Sequence, residues 1–266
     1  ILDKYKGGLV LDIVAVKDSE LERYLTKIMP EIEFLTKAQH LLLALRSRGM
    51  SLAAPEIAPM DDRRFTAFGL YNPCVALKVE QKMVLNDIDF DDKAKIYVLT
   101  GPNRGGKSVI TCAVGQAQAL CQLGLPVPAA SAVISPVTAI YTHFPTGSEG
   151  DGAIEKGRLG EECDRLNKIF DTLDSHSLIL LDESFSSTGS YEASYIASEV
   201  LTGFSMIGCK CLFSTHLHEL SGQLDEINRK CAAMGGVPID TLVAGIHGSE
   251  RSFEITRAKP DGKSYA

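Results

Sequence analysis

The 266-residue chain is 45% hydrophobic, 23% charged and 7% aromatic, with a formal net charge of −7. Its mean hydropathy of +0.04 and apolar stretches well short of the roughly 18 residues of a membrane helix argue against a transmembrane span. The negative excess lies in residues 66–266, with 17 Lys/Arg against 24 Asp/Glu, while residues 1–65 hold ten of each; a broad face gripping a phosphate backbone is therefore not expected in the larger part.

In chain order, helical spacing begins at Glu20, with Leu21, Leu25 and Ile28 on one face. A second helix is expected from Pro30, whose missing N–H suits a first turn, through Ile32, Leu35, Ala38, Leu42 and Leu45 to Gly49. Met50 to Asp62, with Pro55 and Pro59, reads as a connector, which puts a domain boundary near 65. Beyond it, short β-rich runs alternate with helices, the texture of an α/β domain. The seven cysteines form no CxxC pair and read as buried thiols of a reducing, cytoplasmic compartment. An opening at Ile1 without Met suggests a piece of a longer polypeptide.

Lys95 to Thr100 is a strand candidate. Gly101-Pro-Asn-Arg-Gly-Gly-Lys-Ser108 follows and satisfies G-x-x-x-x-G-K-[ST], ahead of a helix over about 107–123 with Ile110, Val114, Ala117 and Cys121 on its apolar face. The chemistry follows from the spacing. Glycines let successive N–H groups curl around phosphate oxygens, and the helix N-terminus adds partial positive charge. Lys107 reaches the β- and γ-phosphates, and the Ser108 hydroxyl suits magnesium. The ATP-binding candidates are thus Gly101, Pro102, Asn103, Arg104, Gly105, Gly106, Lys107, Ser108 and Val109.

A long helix is expected over about 155–173, with Leu159, Cys163, Leu166, Phe170 and Leu173 on one side. Ser177 to Leu181 is an apolar strand that delivers Asp182 and Glu183 at the edge where open α/β sheets bind ligands. Asp182 suits the magnesium shell, and Glu183 can orient a water and accept its proton. A helix near 191–203 and a buried strand over 209–213 come next. Ser214-Thr-His216 ends that strand, where His216 could reach a γ-phosphate, while His218 is read as a surface residue. A late, more exposed strand is expected around Phe253 and Ile255.

The order GPNRGGKS, LILLDES, LFSTHLHEL resembles the ATPase domain of the MutS DNA mismatch-repair proteins, whose loop reads G-P-N-x-G-G-K-S. Thr188, Tyr191 and Lys263-Ser-Tyr265 also match the family, and the resemblance covers roughly residues 70–266. Residues 1–65 resemble the end of the family's helical lever region. The resemblance implies a phosphate-loop NTPase sheet of the ABC-ATPase type flanked by helices (66–266), preceded by a small helical segment (1–65). It also implies a Mg-dependent ATPase acting as a homodimer, with ATP and Mg2+ as cofactors and with DNA bound by regions outside this chain. Met83 or Val84 falls where the family packs a side chain on adenine.

Departures mark the chain as a divergent relative. The family's trans-acting signature, S-T-F-M-x-E, is here Gly157-Arg158-Leu159-Gly160-Glu161-Glu162, so only Glu162 is kept and Gly157 replaces the phosphate-contacting serine. Phe185-Ser-Ser187 stands where the family has glycines after the acids. His143 and Pro145 replace an arginine and a glycine. Two alternatives stay open: a nucleotide-gated DNA-binding or scaffold module with little hydrolysis, and another ABC-type ATPase. The second lacks its L-S-G-G-Q segment before the acidic strand.

Overall fold

The computed structural model describes residues 2–91, 93–144, 157–185, 187–247 and 250–259. Pro145, the first residues of the helix expected from 155, and Lys263 to Tyr265 lie outside the described residues, as do the side chains of Leu21, Arg158 and His218. The chain divides into two compact units, Ile1–Gly49 and Met50–Ala266.

The first unit is one helix, α1 (Leu2–Ser47), with Pro30 inside it rather than at the start of a second helix. Proline removes a single rung of the hydrogen-bond ladder, at the carbonyl four residues earlier, and a long exposed helix can leave that carbonyl to water. Periodicity on both sides of Pro30 therefore runs on without a break.

The division falls at Gly49 and Met50 instead of near 65, because the connector is built into the second unit. Ala53 bridges Val127, and β1 (Glu56–Ile57) pairs with Val133 and Ile134. Pro59 O accepts from Ser135 Oγ at 2.6 Å. A short 3-10 turn, Met60–Asp62, leads into β2 (Phe65–Leu70). After α2 (Pro73–Ala76) and β3 (Asn86–Phe90), a second sheet begins with β4 (Ile96–Thr100) and passes through α3 (Lys107–Gln122). β5 (Ser131–Ile134) then returns to the first sheet, giving the order β1-β5-β2-β3.

The remaining elements are β6 (Ile140–His143), α4 (Arg158–Phe170), β7 (Leu178–Asp182), α5 (Ser190–Ile207), β8 (Lys210–Ser214), α6 (His218–Ala233), β9 (Ile239–His247) and β10 (Glu250–Arg257). With β4 they form the larger sheet, ordered β10-β9-β4-β8-β7-β6. Its strands are parallel except β10, which runs antiparallel to β9 at the edge. The late strand is thus one arm of a hairpin, α4 stops at Phe170 rather than 173, and His218 opens α6.

Continuous apolar runs mark strands covered on both faces. Tyr97, Leu99, Leu178, Leu180 and Leu212 pack into a core shared with α3 and the smaller sheet. Their neighbours Ile96, Val98, Ile179, Leu181, Cys211 and Phe213 pack with α4, α5 and α6 on the other side. In α3 the expected apolar face, Ile110, Val114, Ala117 and Cys121, is buried. No helix among the described residues is long and apolar enough to cross a membrane. Cys121, Cys209, Cys211 and Cys231 are buried, Cys112 and Cys163 are half-buried, and Cys74 is exposed.

Lys210 is an exception inside this core. It is 1% exposed, and among the described residues its Nζ has no hydrogen-bond partner. Burial, with the charges of Lys95 and Arg63 nearby, pushes its ammonium down to about 8 from 10.5. The unfolded chain therefore binds the proton more tightly. The native state carries a penalty below pH 8 that is relieved as pH rises through 8 toward 10.5. At about 1.4 kcal/mol for each tenfold in proton affinity, the stability advantage of Lys210→Met over wild type should shrink by roughly 2–3 kcal/mol between pH 7 and pH 10. Urea unfolding at a series of pH values would measure it; parallel profiles for the two proteins would refute it.

Candidate functional site

The glycine-rich segment forms the turn between the C-terminal end of β4 and the start of α3. Two of its three glycines sit at positive φ, and at the third, Gly105, a Cβ would stand 2.9 Å from Pro102 O. Gly101 has φ +134 and lies so close to β9 that an added Cβ would stand 2.7 Å from Ala244 Cβ and 2.9 Å from its carbonyl oxygen. Gly106 caps α3 at φ +92, a left-handed conformation that side chains disfavour. Arg104 adopts φ 61 without being glycine, at about 1–2 kcal/mol, and is exposed at the loop tip. Pro102 and Gly105 are buried, with Gly105 N donating to Pro102 O at 3.0 Å. Asn103 is exposed.

The Lys107 side chain is buried and curls back along the loop, its Nζ donating to Gly101 O at 3.0 Å and Pro102 O at 3.1 Å. Burial lowers its proton affinity, opposed by the carboxylates of Glu183 and Asp182. An ammonium held on carbonyl oxygens beside unpaired helix N–H groups makes this corner a natural seat for an anion.

The acids arrive from β7. Asp182, the last residue of that strand, pairs in register with Ser214 of β8 and is 5% exposed. Glu183 N donates to Ser214 O at 2.8 Å. Glu183 has φ 48 and Phe185 φ 66, so two residues with side chains occupy left-handed backbone on either side of Ser184, again at about 1–2 kcal/mol each. His143, at the end of β6, is buried and shares a 2.8 Å hydrogen bond through Nδ1 with Ser184 Oγ. Burial lowers the proton affinity of His143, while the Glu162 carboxylate opposes that shift. Glu162 Oε2 accepts from Phe185 N at 2.6 Å.

A cleft of about 410 Å³ joins these parts. Arg104, Gly106, Lys107, Ser108, Val109 and Glu183 line one end, and Met83, Val84, Val75, Val79 and Phe253 line an apolar end. Met83 and Val84 sit in the irregular run before β3. His216 stands exposed just beyond β8 and Asp182 is buried; neither lines the cleft. Gly157 is exposed at the start of α4, with open space where a Cβ would stand.

Sequence reasoning missed the residues that shape the apolar end. Asn72 caps α2 by accepting from Cys74 N and Val75 N, while its Nδ2 donates to Val109 O at 3.2 Å, tying that wall to the first turn of α3. Asn86 spans the two sheets: Nδ2 donates to Phe253 O at 3.2 Å and Oδ1 accepts from Ile255 N at 2.6 Å. These two hydrogen bonds fall within the register shift between Arg251 and Ile255, where Phe253 takes φ 58 and its ring lies beside Gly106. The only local hint was an aromatic residue in an alternating strand.

The described residues hold no group of three or more His, Cys, Asp or Glu that could bind a metal. Asp182 Oδ1, however, is buried without a hydrogen-bond partner among the described residues. An orphaned hard oxygen next to the glycine-rich loop fits a magnesium ion that would take most of its remaining ligands from water and a bound anion.

Residues 97–243 match the family model of MutS domain V. The chain belongs to the MutS family. Within it, the chain is 31% identical over 212 residues to the DNA mismatch repair protein MutS of Roseiflexus castenholzii, covering 76% of this chain and 19% of the relative. It is 29% identical over 262 residues to the MutS of Clostridium kluyveri, covering 94% and 29%. It is 32% identical over 174 residues to the probable DNA mismatch repair protein Msh6 of Drosophila melanogaster, covering 64% and 14%. The chain spans less than a third of the length of these curated relatives.

Proposed function

We propose that this MutS domain V is a phosphate-loop ATPase of the ABC-like kind, which couples ATP binding and hydrolysis to dimer and DNA-clamp changes in a mismatch-repair or recombination protein. The observation that carries the reading is the single cleft in which the α3 N-terminus, Lys107 and the Glu183 carboxylate meet an apolar wall. That combination suits a ligand with a polyphosphate at one end and a flat base at the other.

In this reading the adenine lies against Met83 or Val84 with Phe253 across from it. In the loop over residues 101–109 the free backbone N–H groups, of which Pro102 has none and Gly105 spends its own on Pro102 O, orient the phosphate chain together with the Lys107 ammonium. Ser108 and Asp182 would hold magnesium, which supplies charge neutralisation on the β- and γ-phosphate oxygens when bound. Glu183 holds a water in line with the γ-phosphorus and accepts its proton. The water oxygen bonds to phosphorus as the bridging P–O bond breaks, and its electron pair leaves with ADP. His216 is assigned to the γ-phosphate side as a sensor of hydrolysis. DNA contact and homodimerisation are assigned to regions outside this chain, and the relatives, being DNA mismatch repair proteins, motivate the first of these.

A second reading rests on exposed Gly157, which offers no side chain to a partner's nucleotide: a nucleotide-gated module that scarcely hydrolyses. Steady-state hydrolysis of Mg-ATP against protein concentration, beside Lys107→Ala, separates the two. Specific activity that rises with concentration and is lost in the control supports the ATPase. Tight ATP binding with no turnover at any concentration favours the gated module.

A further inference from the structure

We infer that Glu162 and His143 are positioning residues for Glu183, holding from two other elements the left-handed turn that presents its carboxylate. The inference rests on the proposed role of Glu183 in hydrolysis.

The turn from Asp182 to Phe185 has backbone that side chains disfavour at two of its four residues, Glu183 and Phe185, and no glycine to relieve it. Left to local preference, such a segment would relax into another conformation. It persists only where the surroundings over-determine it.

The anchors come from three directions. β8 fixes the start through Ser214 O and Glu183 N. From β6, His143 fixes the middle through Ser184 Oγ, with both side chains buried. From α4, Glu162 fixes the end through a charge-assisted bond to Phe185 N. The Phe185 side chain is fully buried in the helix-side core, which locks the same residue from its other side.

Of these anchors, the Glu162 bond is the one a side-chain change can remove without touching either the core or the β7–β8 ladder. The carboxylate of Glu162 is thereby engaged within its own chain. Its loss would let the Glu183 Cα drift while the phosphate loop, on the far side of β8, stays in place. A general base displaced by about 1 Å can lose on the order of a hundredfold in rate.

The test compares Glu162→Leu, which removes the acceptor, with Glu162→Gln, which keeps an oxygen for Phe185 N. His143→Phe and His143→Asn form a second pair, since asparagine can place a polar atom near the position of Nδ1. ATP turnover and the affinity for a fluorescent ATP analogue are measured on each, with Glu183→Gln and Lys107→Ala alongside. Glu162→Leu should lower kcat by roughly 10- to 100-fold and change nucleotide affinity by less than about threefold. Glu162→Gln should recover most of that loss, and His143→Asn should recover part of the smaller loss in His143→Phe.

Should Glu162→Leu not fold, Glu162→Asp shortens the reach while keeping the charge, and it should show the same kcat-only loss. Turnover in Glu162→Leu within twofold of wild type overturns the inference. So does a Gln variant as slow as the Leu variant, or a loss shared equally by kcat and affinity. These results leave the ATPase reading intact as long as Lys107→Ala and Glu183→Gln are inactive. Full turnover in those two controls, or none in wild type, instead removes the reading on which the inference stands.

Discussion

Glu183→Gln is expected to bind Mg-ATP and fail to hydrolyse it. Glutamine keeps the length and shape of the side chain and accepts the same backbone conformation, so the turn at Ser184 should survive. What is lost is the capacity to take a proton from the attacking water, a contribution of about 10²- to 10⁴-fold in comparable catalysis. Affinity should hold or rise, because the Glu183 carboxylate lines the same cleft as the glycine-rich loop. Removing its charge reduces repulsion against a polyphosphate. Phosphate release in multiple-turnover assays and nucleotide binding by calorimetry give the two numbers. Turnover within about threefold of wild type would remove Glu183 from the role assigned to it.

Lys107→Ala should act on the other parameter. The ammonium is buried and held by the carbonyls of Gly101 and Pro102. Exchanging those neutral carbonyl acceptors for anionic phosphate oxygens turns hydrogen bonds charged at the donor alone into ion-paired ones, a gain of about 1.5 kcal/mol each. Two such bonds correspond to at least about a hundredfold in the ATP dissociation constant. AMP lacks the β- and γ-phosphates, so its affinity should change little. Calorimetric titration with both nucleotides checks this; an equal loss for ATP and AMP would place Lys107 elsewhere on the ligand.

In the larger sheet β4, β7 and β8 are legible because each is an apolar run bounded by a turn signal, and because Gly101 and Gly106 advertise backbone that other residues avoid; β6 and β9, which flank them, carry no such run and go unannounced. Nor is the smaller sheet legible. β1 has two residues, and β2 and β5 come together from positions about 65 apart, so no local pattern announces them. α1 misleads for another reason: a proline that could open a helix can also sit inside one when solvent takes the orphaned carbonyl.

At the cleft, the glycine-rich loop supplies Arg104 and Gly106 to Val109 from one contiguous segment, and Glu183 joins them from the end of an apolar strand. The apolar end depends on Asn86 meeting Phe253 across 167 positions, a juxtaposition that spacing cannot reveal. The turn after the acids is illegible in a subtler way. Phe185 carries φ 66 where a glycine would have declared the conformation, and the compensation lies in Glu162, 23 positions away.

The two-sided packing of β7 makes that strand a ruler. Leu178 and Leu180 belong to one core and Ile179 and Leu181 to the other, so parity along the strand is fixed. One residue added between 178 and 181 would exchange the two sets and turn Asp182 to the opposite face. The distance from strand to acids is therefore protected by bulk apolar matter on both sides, and a change of length there would damage folding and chemistry together.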